Sequence, residues 1–219
     1  EKMTALATTH GKTAKGNPRG SGYVRAEGDL YVEPGLSLAG LPLKGGRHHE
    51  WAVAALLNQE DIPSPVWDPA CGTGTITRVC WGHGKPAYGT DVASGVDFLT
   101  TTKKMWPLHV ADRWSSGAIP SIVCTPPFGL AEEFILHAVD LDVPVAAFLL
   151  RLAFLEGTGR RERIFDPHPP ARVWTFSRRV SCPPPGALIG DLKARGGAFA
   201  WFVLERGWRG PGYKGGWLP

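Results

Sequence analysis

Short apolar segments alternate with helical or glycine-rich segments from residue 66 to residue 150. Val66-Trp67 runs into a loop at Asp68–Gly74, and a helical pattern follows over Thr75–Gly82. Alternation of this kind is typical of parallel strands whose crossover connections are helices. We therefore predict an α/β fold built on a doubly wound, mainly parallel sheet.

The other predicted elements extend this pattern. Apolar residues three and four positions apart predict an amphipathic helix over Ala131–Asp142, and the continuously apolar Val143–Leu150 predicts a strand buried on both faces. Val173–Val180 and Ala198–Leu204, joined by a segment rich in Pro and Gly, predict an antiparallel terminal hairpin. Further predicted elements are a helix over residues 47–60 and strands over Ala87–Val92 and Ile119–Cys124.

Composition limits the class of protein. The chain has 219 residues, of which 43% are hydrophobic and 20% charged, enough for one folded domain with a core. No apolar run of membrane-spanning length and no export leader is evident, so we expect a cytoplasmic protein. The four cysteines lack CxxC spacing, which argues against a structural zinc site and against a disulfide scaffold, and we expect no metal.

Charge is distributed unevenly along the chain. Residues 1–26 carry a net charge of +4, residues 27–150 a net charge of −7, and residues 151–219 a net charge of +7. We predict that residues 1–26 are a flexible basic arm and that residues 27–219 form a single domain. The two basic regions favour a polyanionic partner, although chance clustering of solvated charges explains them equally well.

The glycine loop, Asp68–Gly74, follows a strand, where doubly wound sheets bind their ligands. Gly72 and Gly74 allow the backbone to approach a ligand closely. A nicotinamide dinucleotide needs a third glycine, and Thr77 occupies that position, so the pattern disfavours a dehydrogenase. The carboxylate of Asp68 favours a cationic or amine-bearing ligand instead.

The next predicted strand ends in Gly89-Thr90-Asp91, and Asp97 follows it as a further acidic position. Asp91 is suitably placed to bind both hydroxyls of a ribose, although an Asp here is more commonly a turn former or helix cap. Asp97 and Phe98 suit the amino group and the ring face of an adenine. The alternative for this pair is a turn Asp followed by a core Phe.

The proline corner, Thr125-Pro126-Pro127-Phe128, follows a further predicted strand. Proline has a fixed φ and no N–H, so this loop is stiff and its carbonyls can accept hydrogen bonds from an amino group. Phe128 offers a ring on which a base can stack. The alternative is that the prolines merely end the strand.

The two motifs together resemble those of class I S-adenosylmethionine-dependent methyltransferases. Thr-Pro-Pro-Phe is similar to the Asp/Asn/Ser-Pro-Pro-Tyr/Phe/Trp motif of enzymes that methylate the N6 amine of adenine in DNA, the compact phage and prophage enzymes in particular. The resemblance extends over residues 27–219 and implies a Rossmann-like sheet of seven strands. Thr125 stands where that family usually has Asn, Asp or Ser.

The resemblance also implies roles for individual residues. The proline corner, Thr125, Pro126, Pro127 and Phe128, would form the catalytic pocket for the target base. S-adenosylmethionine would be the cofactor, and its binding residues would be Tyr31, Glu33, Pro34, Asp68, Pro69, Ala70, Cys71, Gly72, Gly74, Asp91, Val92, Asp97 and Phe98. Nucleic acid, DNA in the first place, would be the partner, and the basic C-terminal third offers phosphate contacts at Arg160, Arg161, Arg178 and Arg179.

The same motifs leave two other functions open. The Pro-Pro-aromatic motif also serves methyltransferases that act on a base amine in RNA or on a glutamine amine in proteins. A catalytically weakened homologue that only binds nucleic acid is the second alternative. Nothing in the sequence points to a particular oligomeric state.

Overall fold

The computed structural model describes residues 50–105, 118–180 and 198–219. The predicted arm, residues 1–26, lies outside these ranges, as do the cofactor candidates Tyr31, Glu33 and Pro34. The segment 181–197, between the two strands of the predicted hairpin, also lies outside them.

One mixed sheet forms the centre of the fold. Its strands are β1 Val66–Asp68, β2 Ala87–Gly89, β3 Ser121–Cys124, β4 Val145–Arg151, β5 Arg172–Phe176, β6 Phe199–Glu205 and β7 Lys214–Leu218, in the spatial order β2-β1-β3-β4-β6-β5-β7. β1 to β4 are parallel, β6 is antiparallel to both β4 and β5, and β7 is parallel to β5. Of the seven described strands, β6 alone therefore points the opposite way.

Helices cover both faces of this sheet. They are α1 Glu50–Gln59, α2 Thr75–Gly82, α3 Ala131–Asp140 and α4 Thr158–Arg160, which continues as a π-helical turn over Arg161–Phe165. α1 and α2 pack on one face, against Val145, Ala147 and Leu149 of β4, and α3 packs on the other, against Ala146, Phe148 and Leu150. Alternate side chains of β4 thus enter two separate cores, as expected of a strand buried on both faces.

The predicted fold class is confirmed: the sheet is mainly parallel, and β5 and β6 pair in antiparallel fashion as the predicted hairpin requires. β2 ends at Gly89 rather than at Val92, because Asp91 caps a 3₁₀ turn over Val92–Ser94. β5 ends at Phe176 and α3 at Asp140, also short of the predicted bounds. β7, which is rich in glycine, carries no strand pattern in the sequence and forms by pairing with β5.

A buried carboxylate joins the end of α1 to β5, and we expect it to contribute strongly to stability. Glu60 Oε1 accepts hydrogen bonds from Arg172 Nε and Trp174 Nε1, both at 2.6 Å. Glu60→Gln leaves the guanidinium without its buried counter-charge, so the free energy of unfolding should fall by about 2 kcal/mol in urea denaturation. Glu205→Gln is the matched control, because Glu205 contacts the same arginine but is 45% exposed, and its loss should cost about 0.5 kcal/mol. If both variants lost the same free energy of unfolding, the buried Glu60 carboxylate would not be the stronger contributor to stability.

Candidate active site

The sheet topology brings the glycine loop and the proline corner to the same edge. β1 lies between β2 and β3, and all three run parallel, with Asp68 opposite Gly89 and Trp67 opposite Ile122. The carboxyl ends of these strands, and of β4, therefore form one edge of the sheet, called here the carboxyl edge. The glycine loop leaves β1 there, and the proline corner leaves β3 beside it.

The glycine loop is a tight bend that needs glycine at two positions. Gly72 has φ +48° and Gly74 has φ +79°, both in the left-handed region that side chains disfavour. Gly74 N–H donates to the Cys71 carbonyl at 2.7 Å, and α2 begins directly after Gly74. Gly72 is exposed, whereas Asp68 and Pro69 at the start of the loop are buried and Ala70 is half-buried. The loop thus presents a bare backbone at its tip.

Asp91 serves as both a helix cap and a support for the glycine loop. Its Oδ1 accepts from Ala93 N–H at 2.9 Å, while its Oδ2 accepts from Gly72 N–H at 3.0 Å. The first bond is the cap that the sequence suggests, and the second holds the glycine loop against the turn after β2. Each carboxylate oxygen retains a second lone pair for a ligand hydroxyl. Val92, next in the chain, is 46% exposed.

Gly89, the last residue of β2, allows the glycine loop to lie close to that strand, and it was not among the predicted site residues. A Cβ at Gly89 would lie 2.4 Å from Cys71 Cβ and 2.8 Å from Cys71 Sγ. Non-bonded carbon and sulfur atoms do not approach each other this closely. The glycine loop can therefore lie against the end of β2 only because residue 89 has no side chain. The Gly-Thr-Asp sequence at the end of a predicted strand is the signal that could have identified it.

Cys124 connects the glycine loop to the end of β3. Its thiol is fully buried and donates a hydrogen bond to the Asp68 carboxylate, with the Ala70 backbone N–H facing the same sulfur. Burial, followed by the negative charge of Asp68, raises the pKa of this thiol well above its ordinary value. The thiol is therefore protonated at neutral pH and acts as a neutral donor between the two loops.

Cys71 is likewise a neutral thiol. Burial, then the charges of Asp68 and Asp91, raise its pKa to about 12. A cysteine nucleophile requires a thiolate, which cationic neighbours favour and carboxylates disfavour. These two carboxylates instead create a negative potential at the glycine loop, and that potential suits a cationic ligand.

The proline corner contains a buried hydroxyl with no hydrogen-bond partner among the described residues. Thr125 is only 5% exposed, and its Oγ1 is one of two such atoms, the other being Ser121 Oγ at the opposite end of β3. The Pro127 carbonyl accepts from Leu130 N–H at 2.8 Å, whereas the Pro126 carbonyl accepts no backbone hydrogen bond from the described residues. Thr125 Oγ1 and the Pro126 carbonyl are thus the acceptors that this corner can offer to a donor.

Phe128 lies at the exposed end of the proline corner. It is 37% exposed, and its ring packs at a tilt on Phe199, with 5.6 Å between ring centroids. The guanidinium of Arg151 lies 5.7 Å from the Phe128 centroid. Arg151, the last residue of β4, was not among the predicted site residues, and no feature of the local sequence distinguishes it.

Asp97 and Phe98 differ in their surroundings. Asp97 is exposed and caps the 3₁₀ turn Phe98–Thr100 by accepting from Leu99 N–H at 3.0 Å. The Phe98 ring is 2% exposed and packs edge-on against Trp67 at 5.2 Å and at a tilt against Phe134 at 4.8 Å. Their placement matches the structural alternative of a turn Asp followed by a core Phe, so the Phe98 ring is not positioned to stack on a ligand.

The four predicted phosphate contacts also differ. Arg160 donates hydrogen bonds to Glu132 and to the carbonyls of Phe154 and Glu156. Its guanidinium is therefore occupied by contacts within the fold. Arg161 is 74% exposed and pairs with Asp166. Arg178 and Arg179 are exposed just beyond β5, at the carboxyl edge, with Arg178 stacked 3.8 Å above the Trp51 ring. Position therefore favours the last two as contacts for a partner.

Away from the carboxyl edge, the described residues form a surface groove but neither a metal-binding cluster nor a membrane-spanning helix. A surface groove of about 250 Å³ lies at the opposite, amino edge, between α3, the end of β6 and the turn at Arg206–Arg209. Within residues 50–105, 118–180 and 198–219, no cluster of His, Cys, Asp and Glu has the arrangement of a metal site. No helix in those ranges is long and apolar enough to cross a membrane.

No protein-family model and no curated protein matches this sequence. Solved structures similar to it include the methyltransferase subunit of a type I restriction-modification system from Streptococcus thermophilus, 13% identical with a TM-score of 0.44. That match covers 74% of this chain and 44% of the subunit, so this chain spans less than half of its length. A predicted O-methyltransferase from Agrobacterium tumefaciens is 11% identical with a TM-score of 0.41, over 77% of this chain and 84% of that protein.

Proposed function

We propose that this chain is an S-adenosylmethionine-dependent methyltransferase that methylates the exocyclic N6 amine of adenine in DNA. The observation that carries the proposal is the juxtaposition at the carboxyl edge. A glycine loop held by Asp91 lies beside a proline corner whose threonine hydroxyl is buried and has no hydrogen-bond partner in the described part of the chain. The first suits a cationic nucleoside cofactor, and the second suits an amine.

The glycine loop fits S-adenosylmethionine on three counts. Gly72 presents exposed backbone, Asp91 retains acceptor capacity for ribose hydroxyls, and Asp68 with Asp91 supplies a negative potential. When bound, this cofactor supplies a methyl group made electrophilic by a positively charged sulfur. The loop's part is to hold that group in a fixed orientation, and alignment of reactants contributes about 7–11 kcal/mol to catalysis in favourable cases.

The proline corner would act on the substrate amine. The lone pair of an aromatic amine is delocalised into its ring, so the amine is a poor nucleophile. Hydrogen bonds accepted by Thr125 Oγ1 and the Pro126 carbonyl would draw both amine protons to one side and localise that lone pair. Such a mechanism needs no thiolate, in keeping with the protonated state of Cys71 and Cys124.

The direct test is methyl transfer from labelled S-adenosylmethionine to a panel of unmodified duplex DNA, single-stranded DNA, RNA and protein. We expect label in DNA, recovered as N6-methyladenine after digestion. Calorimetry on the same sample measures cofactor binding independently of the acceptor. Failure to bind the cofactor at about 1 mM would overturn the proposal, because cellular cofactor sites are far tighter than that.

Thr125→Val separates activity from stability. Valine has the shape of threonine without the hydroxyl, and replacing an unsatisfied buried polar group by an apolar one is neutral or stabilising. We therefore expect an unchanged or higher melting temperature and unchanged cofactor binding. The methyl-transfer rate should fall about 10- to 100-fold, since an acceptor for the amine is lost.

Two matched variants complete this experiment. Thr125→Ser keeps the hydroxyl and loses a methyl group, so it should cost about 1 kcal/mol of stability while retaining activity. Ser121→Ala removes the other buried hydroxyl that lacks a partner within the described ranges, at the start of β3, and should leave activity unchanged. If Thr125→Val were fully active, the hydroxyl would be a core atom with no role in the reaction.

Threonine in place of Asn, Asp or Ser favours one alternative, a homologue with weakened catalysis that binds the cofactor and nucleic acid. The two functions differ in one outcome, because the alternative predicts cofactor binding without transfer to any acceptor in the panel. Label in RNA or in a glutamine side chain would keep the methyltransferase assignment and change the substrate.

A further inference from the structure

An arginine is held over two aromatic rings at the outer end of the proline corner. Arg151 ends β4, and its cross-strand partner in β6 is Phe199. The Arg151 guanidinium lies 5.7 Å from the Phe128 centroid and 6.0 Å from the Phe199 centroid. We call Arg151, Phe128 and Phe199 the arginine shelf. β6 creates it, because its reversed direction brings its first residue to the carboxyl edge.

The positive charge of this shelf is not neutralised by any described carboxylate. Arginines elsewhere in the described ranges form ion pairs with acidic side chains, namely Arg78, Arg160, Arg161, Arg163, Arg172 and Arg206. Arg151 is exposed and has no such partner in those ranges. Ring contacts position a guanidinium and leave its N–H groups available for an anion.

A second arginine at the same edge is held in the same manner. Arg178 follows β5 and stacks on the face of Trp51, again with no ion-pair partner among the described residues. β6 separates β4 from β5, so the two strands lie two spacings, about 10 Å, apart. Arg151 and Arg178 thus both lie at the carboxyl edge, Arg151 beside the proline corner and Arg178 beyond it. Each stacks on an aromatic ring and pairs with no carboxylate among the described residues.

We propose that Arg151 binds a phosphate of the DNA strand next to the target nucleotide, and that Arg178 binds a further phosphate of the same strand. This inference rests on the proposed function, since it places the target base at the proline corner. Phe128 would then have two roles, offering its exposed surface to the base and positioning the guanidinium. Arginine suits such a contact because its planar fork donates two hydrogen bonds to one phosphate.

The test is the salt dependence of DNA binding by the full chain. Fluorescence anisotropy with a labelled adenine-containing oligonucleotide, single-stranded and duplex, gives the dissociation constant between about 50 and 200 mM salt. Each phosphate contact contributes about 0.7–0.9 to the slope of log affinity against log salt. Arg151→Gln and Arg178→Gln should each lower that slope by about this amount, and together by about twice as much.

Control variants separate this contact from a general loss of charge. Arg209→Gln removes an exposed arginine at the amino edge and should leave the slope unchanged. Arg151→Lys keeps the charge but not the planar fork, so it should restore the slope while affinity stays several-fold below that of the unmodified protein. An Arg151→Gln slope equal to that of the unmodified protein would overturn the inference, as would an equal loss in Arg209→Gln.

Cofactor calorimetry distinguishes this inference from the proposed function. If the unmodified protein binds S-adenosylmethionine and Arg151→Gln leaves the salt slope intact, the phosphate contact alone is wrong. If the unmodified protein does not bind the cofactor, the proposed function fails whatever the slope. Binding of RNA in preference to DNA, with the same dependence on Arg151, would reassign the polymer and overturn the DNA contact.

Discussion

Gly89→Ala should abolish detectable binding of S-adenosylmethionine. The added methyl group would lie 2.4 Å from Cys71 Cβ and 2.8 Å from Cys71 Sγ, so the glycine loop must move away from β2. That movement also breaks the contact between Gly72 N–H and Asp91, on which the shape of the loop depends. We expect an affinity loss of at least about 100-fold by calorimetry, with a stability loss of about 1–3 kcal/mol from overpacking.

Two variants test this explanation of the Gly89 effect. Cys71→Gly removes the two closest atoms that the new methyl group would meet and leaves only Thr77 Cγ2 at 3.3 Å, so the double variant should recover cofactor binding relative to Gly89→Ala alone. Gly82→Ala, at the end of α2, places a methyl group where no atom lies within 4 Å and should be neutral or slightly stabilising. Absence of rescue by Cys71→Gly would show that Gly89 matters for a reason other than this contact.

Asp91→Ala should lower cofactor affinity by about 100-fold. The variant loses the acceptor for Gly72 N–H and the carboxylate proposed to bind the ribose, and hydrogen bonds to a charged group contribute about 1.5–3 kcal/mol each. Asp91→Asn keeps one acceptor oxygen and should give an intermediate loss. The measurement is again calorimetry, with circular dichroism to verify the fold.

Ser94→Ala is the matched control for Asp91. The Ser94 hydroxyl forms the other half of the same capping box, bonding to the Asp91 backbone, and has no contact with the glycine loop. If the Asp91 carboxylate acts on the ligand, Ser94→Ala should cost little affinity. A loss as large as that of Asp91→Ala would mean that the carboxylate matters only as a cap of the turn.

Sequence alone was sufficient for elements whose signals are local. α2 forms over the predicted residues Thr75–Gly82, because the glycine loop sets its start and Gly84, in the left-handed region at φ +69°, follows its C-cap His83. The structure confirms Asp91 as a cap, since its Oδ1 accepts from Ala93 N–H, and adds a bond from Gly72 N–H to its Oδ2, while its role toward a ribose stays a prediction. The placement of the glycine loop and the proline corner at one edge follows from strand polarity, and the pairing of β1 with β3 makes them neighbours.

Sequence was insufficient wherever a distant partner decides the outcome. Phe98 follows a turn Asp in the sequence, but it is the rings of Trp67 and Phe134 that enclose it. Arg160 resembles any surface arginine until Glu132, 28 positions earlier, is placed against it. Arg151 gains its contact with Phe199 because β6 inserts between β4 and β5, and no local pattern encodes that insertion.

The reversed direction of β6 has a consequence for how this scaffold can diversify. Val180 and Ala198 flank segment 181–197, and β5 ends where β6 begins, so the chain leaves and re-enters the sheet on the side of the proline corner. Exchanging that segment therefore changes a stretch of chain that begins and ends beside the proline corner, while β1, β2 and the glycine loop stay untouched. Under the proposed function, target preference and cofactor use can then evolve as separate traits on one framework.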